Sequence, residues 1–363
     1  MCRVLLTVYR LPDWLLPRPP CASARQVKCC NWVKRGERIR PLRDAFPDIA
    51  ELKSGGKRVL SRVLTRIETH ANDTRTAAFL DQVAVEAGGH VLGLTGPPGV
   101  GKSTLTDSLI RAFRAAGDSV AVLAVDPSSS ITGGALLGDR TRLKTDPADD
   151  QVFVRSMAAR DRLGGLSDHA VAAIVVLRAA FDHVIVETVG IGQSEGDLKQ
   201  AADTVLLCIQ PGSGDSLQFM KAGIMELPDI VAVTKADMGA SARRAAADVK
   251  GALTLSPSTA AGWTVPVGLV SSQTGDGLED LIADVYKHRA HLSQNGRLGR
   301  LRSEQHCAWF RDRVLSEYGQ AGLRLCAKLC DAPEVAARTA PFSSFARFAE
   351  QMDDLLNPML PRL

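Results

Sequence analysis

Three observations predict an α/β fold, with a mostly parallel sheet covered by helices and helical extensions at both the N- and C-terminal ends. Short apolar runs at 91–95, 120–125, 184–186, 205–209, 230–233 and 267–270 alternate with helical stretches. Such alternation implies parallel strands buried on both faces. Apolar residues recur at three- and four-residue steps before the first run and again after the last, which is helical periodicity. The pair Gly88 and Gly89 breaks the chain just before the strand-like runs begin.

In chain order, residues 1–45 read as a basic, disordered leader. The first 40 residues carry nine Lys/Arg against two Asp/Glu, so the net charge of +4 over 363 residues is concentrated there. The remaining body is slightly acidic, and no nucleic-acid partner is expected of it. The leader is either a transit-like segment or an extension with no role. Residues 46–88 are expected to form an N-terminal helical segment, with Leu52, Val59, Leu60, Val63, Leu64 and Ile67 on one face and a second helix over 77–86. Residues 89–291 hold the strand alternation. Residues 292–363 are expected to form a C-terminal helical arm, with Trp309, Phe310, Val314 and Leu315 on one stripe and breaks at Pro333 and Pro341.

The longest apolar stretch, 170–181, is shorter than the roughly 18 residues a membrane helix needs and contains Arg178, so no membrane association is expected. Of the eight cysteines, four lie in the first 30 residues, and none of the others has metal-ligand spacing. Cys208 falls in an apolar strand run and reads as a buried thiol; Cys326 and Cys330 would share a helix face.

Gly96, Pro97, Pro98, Gly99, Val100, Gly101, Lys102 and Ser103 fit the pattern GxxxxGK[ST] between a strand and a helix, the context that makes this motif a phosphate site. Glycines allow the backbone N–H groups to converge on phosphate oxygens, and the helix that starts with Lys102, Ser103 and Thr104 adds its positive end. Lys102 would reach the β- and γ-phosphates, and Ser103 would ligate Mg²⁺. The fold is therefore expected to be that of a P-loop NTPase.

Other candidates stand at the ends of the apolar runs, where ligands of open α/β sheets gather. Asp126 and Glu187 can hold Mg²⁺ directly or through water. Asp126 also suits a turn or cap, whereas an unpaired Glu187 after a buried run would be costly. Gly190 would sense the γ-phosphate through its backbone N–H, and Gln193 is a candidate for positioning the attacking water. Thr234, Lys235, Ala236 and Asp237 match TKxD: an Asp here accepts from guanine N1–H and the exocyclic amine, a donor pair adenine lacks. Ser271 and Ser272 would support the base. GTP or GDP is the expected nucleotide.

With these residues in place, the chain resembles the MeaB/ArgK group of GTPases over roughly residues 51–311. The specific stretches are 125–130, Gly133 with Gly134, 137–142, 155–157 with 163–165, 187–195, 211–215, Gln218, 221–224 and Glu226. Departures from the pattern are Thr234 for a commoner Asn, Ala135 for Ser, Arg140 for Lys and Ser272 for Ala. The resemblance implies a Mg²⁺-dependent GTPase that gates cofactor loading and protects a cobalamin-dependent acyl-CoA mutase of the methylmalonyl-CoA mutase type. It adds Asp139 to Asp126 and Glu187 as metal-side carboxylates, with Asp139, Lys102 and Gln193 as the catalytic candidates. It also implies a switch over 212–221 and a homodimer formed through the C-terminal arm. The expected location is the cytoplasm, or the mitochondrial matrix if the leader is a transit peptide. Alternative readings are a metallochaperone GTPase of the nickel-insertion type, which would need a Cys/His cluster, an ArgK-like transport-linked kinase, which would need an acceptor pocket and tolerance of ATP, and a scaffold with structural nucleotide.

Overall fold

A computed structural model describes residues 46–70, 73–127, 143, 145–159, 166–188, 195–212, 224–255, 262–329 and 333–356. The expectations for 1–45, for the loop around Asp139, for Gly190 and Gln193, and for Cys330 lie outside them.

Three helices come first: α1 (Ile49–Ser54), α2 (Gly56–Thr69) and α3 (Thr74–Glu86). The carboxylates of Asp48 and Asp73 accept backbone N–H groups at the starts of α1 and α3, satisfying donors that a helix start leaves free. Leu60, Val63, Leu64 and Ile67 are the buried stripe of α2.

Seven strands follow: β1 (His90–Thr95), β2 (Val120–Pro127), β3 (Val152–Ala159), β4 (His183–Thr188), β5 (Thr204–Ile209), β6 (Ile230–Val233) and β7 (Val267–Leu269). All pairs are parallel, in the order β3-β2-β4-β1-β5-β6-β7. Strand β3 is absent from the apolar runs of the sequence. It is an edge strand whose apolar run is interrupted by Arg155 and Ser156, and Arg155 is drawn out to Glu68 of α2 at 2.8 Å.

Helices cover both faces. On one lies α5 (Asp168–Ala180), sandwiched between the sheet and α1–α3 and therefore apolar nearly all round. On the other lie α4 (Lys102–Ala115) and α8 (Leu278–Ser293), packed through Leu105, Leu109, Phe113, Leu281 and Val285. Between them in the chain come α6 (Glu195–Lys199) and α7 (Ala240–Leu255). The C-terminal helices are α9 (Arg297–Leu329), α10 (Pro333–Thr339) and α11 (Pro341–Leu356). Pro333 and Pro341 open helices rather than merely breaking them, a position where the missing N–H costs nothing. The helical run of α9 is interrupted at Gly319, whose φ of 64° is not helical. Phe310 and Val314 are buried against α11, but Leu315 is 38% exposed and lies off the expected stripe. No helix of the described residues is long and apolar enough to cross a membrane.

Because every strand runs the same way, the carboxyl ends of β1, β4, β5, β6 and β7 share one edge. The central strand β1, with β4 on one side and β5 on the other, is where the chain changes winding direction, and this puts a ligand crevice beyond Thr95.

Candidate functional site

The turn from β1 into α4 is shaped by three glycines with positive φ. Gly96 has φ 141°, and a Cβ there would run into the carbonyl oxygen of Cys208 in β5, so only glycine allows this close approach. Gly101 has φ 100° and is the residue before Lys102, the start of α4. Gly99 and Val100 lie between them, with Val100 fully buried as the anchor of the turn and Gly99 at φ 76°. Lys102 folds back over the loop, donating to the carbonyls of Gly96 at 2.7 Å and Pro97 at 3.2 Å, and its side chain is buried. Thr104 is exposed on the first turn. Burial pushes the neighbouring Cys208 thiol up to about 12, so it stays protonated beneath the loop.

Glu187, near the end of β4, is buried and accepts from two hydroxyls of α4: Ser103 Oγ to Oε1 at 2.7 Å and Thr106 Oγ1 to Oε2 at 3.0 Å. Ser103 and Thr106 are three residues apart and so share a helix face. Sequence reasoning paired Ser103 with Glu187 as metal-side groups and passed over Thr106, although its spacing from Ser103 carried the signal. The backbone of Asp126 lies in β2, two residues beyond Ala124, which is level with Glu187. Asp139, Gly190 and Gln193 lie outside the described residues, as does most of the segment 212–221.

The third group gathers where β6 and β7 end. Thr234 donates its hydroxyl to the carbonyls of Val100 at 2.8 Å and Ile209 at 3.2 Å, tying β6 to the phosphate loop and to β5. Lys235, in the left-handed conformation at φ 55°, reaches the carbonyl of Gly99 at 3.1 Å and Oε1 of Gln210 at 2.7 Å. Gln210 is a second residue the sequence did not single out; it stands one position past β5 with no motif around it. Asp237 is exposed and its Oδ1 accepts from Ser271 Oγ at 2.8 Å, while Ser271 is itself fully buried. Ser272 is half-buried beside it, and no hydrogen bond ties it to Asp237. The edge therefore brings together a loop with convergent backbone, a buried lysine, a carboxylate with two hydroxyls and an exposed carboxylate held by a serine. Among the described residues no group of three or more His, Cys, Asp or Glu could hold a metal ion.

Comparison with known proteins shows the family of the chain. The chain is 41% identical over 263 residues to a GTPase-designated protein of Pyrococcus horikoshii, covering 70% of this chain and 80% of that one. It is 32% identical to the GTPase ArgK of Escherichia coli, over 74% of this chain and 83% of ArgK. It is 35% identical to the mouse methylmalonic aciduria type A homolog, mitochondrial, over 60% of this chain and 53% of the mouse protein. A crystal structure of an LAO/AO transport system kinase has the same fold, with a TM-score of 0.59, 23% identity, and coverage of 84% of this chain and 96% of that one. The model of the methylmalonyl-CoA mutase-associated GTPase MeaB matches residues 60–323. The chain thus belongs to the MeaB family and is a guanine-nucleotide-binding GTPase.

Proposed function

We propose that this GTPase is Mg²⁺-dependent and serves a cobalamin-dependent acyl-CoA mutase, gating the loading of its cofactor and protecting the loaded enzyme. The observation that carries the mutase partnership is the family match over residues 60–323, supported by the mouse relative named for methylmalonic aciduria type A.

Ser103 and Glu187 fit a hard, oxygen-preferring cation: a hydroxyl and a buried carboxylate meet at 2.7 Å beside the phosphate loop. Ser103, Glu187, Asp126 and Asp139 would hold Mg²⁺, which neutralises charge on the β- and γ-phosphates when bound. Lys102 would leave the carbonyls of Gly96 and Pro97 to meet the phosphates, beside N–H groups from Gly99 to Thr104. Asp237, steadied by Ser271, would accept from the guanine edge, with Thr234, Lys235 and Ser272 shaping that side of the pocket. Gly190 and Gln193 would respond to the γ-phosphate and position water, so that hydrolysis releases the loops and the partner reads the change. Residues 46–88 and 292–363 would flank the G domain at 89–291 as helical segments. Exposed Leu325, Leu329 and Val335 on α9 and α10 support pairing of two arms in a homodimer.

The test is GTP turnover with and without a cobalamin-dependent acyl-CoA mutase from the same source, with ATP in parallel. Marked stimulation confined to GTP is the expected outcome; unchanged GTP turnover would remove the mutase partnership. Lys102→Ala should abolish tight nucleotide binding, and retained GTP affinity by calorimetry would count against the assignment of the phosphate loop.

A further inference from the structure

At the sheet edge opposite the phosphate loop, α5 ends just before β4, and the carbonyl of Arg178 accepts the N–H of Gly89 just before β1. The Arg178 side chain there is a buried cation that forms no ion pair with a described carboxylate. It is 3% exposed, and its Nε has no hydrogen-bond partner. The nearby carboxylate of Asp203 is bound by Arg302 at 2.8 Å, and no described carboxylate forms an ion pair with Arg178. Among the described residues its side-chain hydrogen-bond contact is Nη2 to Nε2 of His306 at 3.5 Å. His306 Nδ1 lies 3.2 Å from the carbonyl of Arg338, so the ring donates there and presents Nε2 as an acceptor. Burial lowers Arg178 only to about 10, which leaves it charged at neutral pH.

A buried guanidinium without a counter-charge is costly, and proteins keep one where something completes it. Arg178 and His306 line a narrow cleft, open to solvent, between α5, α9 and α11. Its other walls include Val171, Val175, Trp309 and Phe342. The indole N–H of Trp309 is also buried without a partner. The cleft thus holds unsatisfied donors, a positive charge and apolar walls. A guanidinium fork matches a carboxylate. A phosphate would bring more charge and more oxygens than these donors satisfy.

We propose that this cleft binds a small monocarboxylate with a short apolar tail, its carboxylate on Arg178 and its tail against Val171, Val175 and Phe342. The site is separate from the nucleotide crevice and joins α5 to the C-terminal helices, so its occupancy would stiffen that junction. The assignment rests on none of the nucleotide or mutase readings.

The full chain would be titrated with butyrate and, separately, with 1-butanol at matched ionic strength set by chloride, following tryptophan fluorescence and thermal unfolding. Butyrate should give a saturable fluorescence change and a higher Tm, and butanol should not. Arg178→Met keeps the length of the side chain and removes the charge. It should fold with an unchanged or higher Tm and bind butyrate about tenfold more weakly or worse, as loss of a charged hydrogen-bonding partner requires. Equal responses to butyrate and butanol, a chloride titration that reproduces the effect, or undiminished binding to Arg178→Met would each overturn the proposal. Should Arg178→Met fail to fold, the comparison of butyrate with butanol on the unaltered chain still decides.

Discussion

Glu187 is the carboxylate on which the site's geometry turns, and one helical face holds both its oxygens. Ser103 was legible because it ends a motif, but Thr106 acquires meaning only once α4 lies across the end of β4. Thr106→Val keeps the shape and removes one donor to a buried acceptor. It should lower stability by about 1.5–3 kcal/mol, the worth of one hydrogen bond to a charged group. GTP turnover should fall about tenfold with nucleotide affinity largely retained, and Thr106→Ser should restore it. Wild-type turnover in Thr106→Val would show that the second hydroxyl does not position Glu187. Thr234 teaches a related lesson. Read in sequence it is a departure from an Asn-containing motif; in the fold its hydroxyl bridges Val100 and Ile209, so its own tertiary contacts suit a hydroxyl.

Two buried carboxylates fasten the C-terminal helices to the rest of the chain. Asp81 of α3 accepts the N–H groups of Phe342 at 3.1 Å and Ser343 at 2.8 Å, capping α11 from another helix. Asp203, whose side chain is fully buried, accepts from Val91 N–H and from Nε and Nη2 of Arg302, which also donates to the carbonyls of Ala87 and Gly89. Burial alone would raise the Asp203 carboxyl, but the hydrogen bonds and charge of Arg302 hold it below the ordinary carboxylate range. Its contribution to stability is therefore complete above the unfolded value of about 4 and is lost as pH falls through the lower folded value. Arg302→Met leaves that carboxylate buried without its ion-pair partner, which should cost about 3 kcal/mol near neutral pH. The sign then reverses: a raised folded value makes the variant lose stability as pH rises. Tm of both proteins between pH 4 and 8 checks this, and parallel profiles would refute it. Neither tie was visible in the sequence, because 99 positions separate Asp203 from Arg302 and 261 separate Asp81 from Phe342.

Across the whole molecule, buried histidines set the response to acid. Burial pushes His90 down to about 3 and lowers both His288 and His306 to about 4. An unfolded histidine titrates near 6.5, so the unfolded chain takes up protons first as pH falls. Stability from these three groups is complete above about 6.5 and declines towards pH 4. Asp229, 3.7 Å from His288 and raised by burial to about 6, acts in the opposite sense and offsets part of the loss. The urea midpoint should fall steadily from pH 7.5 to 5; a flat profile would mean that these rings are not held neutral.

Residue types and spacing alone determined the layered α/β architecture and the glycine-rich turn between a strand and a helix, because hydrophobic period and backbone-directed motifs are local properties. Strand β3 escaped because an edge strand with Arg155 and Ser156 lacks a continuous apolar run. Only the tertiary structure decided which hydroxyls hold Glu187, why Cys208 demands Gly96, and where Arg178 is buried with its Nε unpartnered among the described residues. Those are contacts between segments far apart in the chain, created when parallel strands bring their ends to common edges and helices close over the sheet.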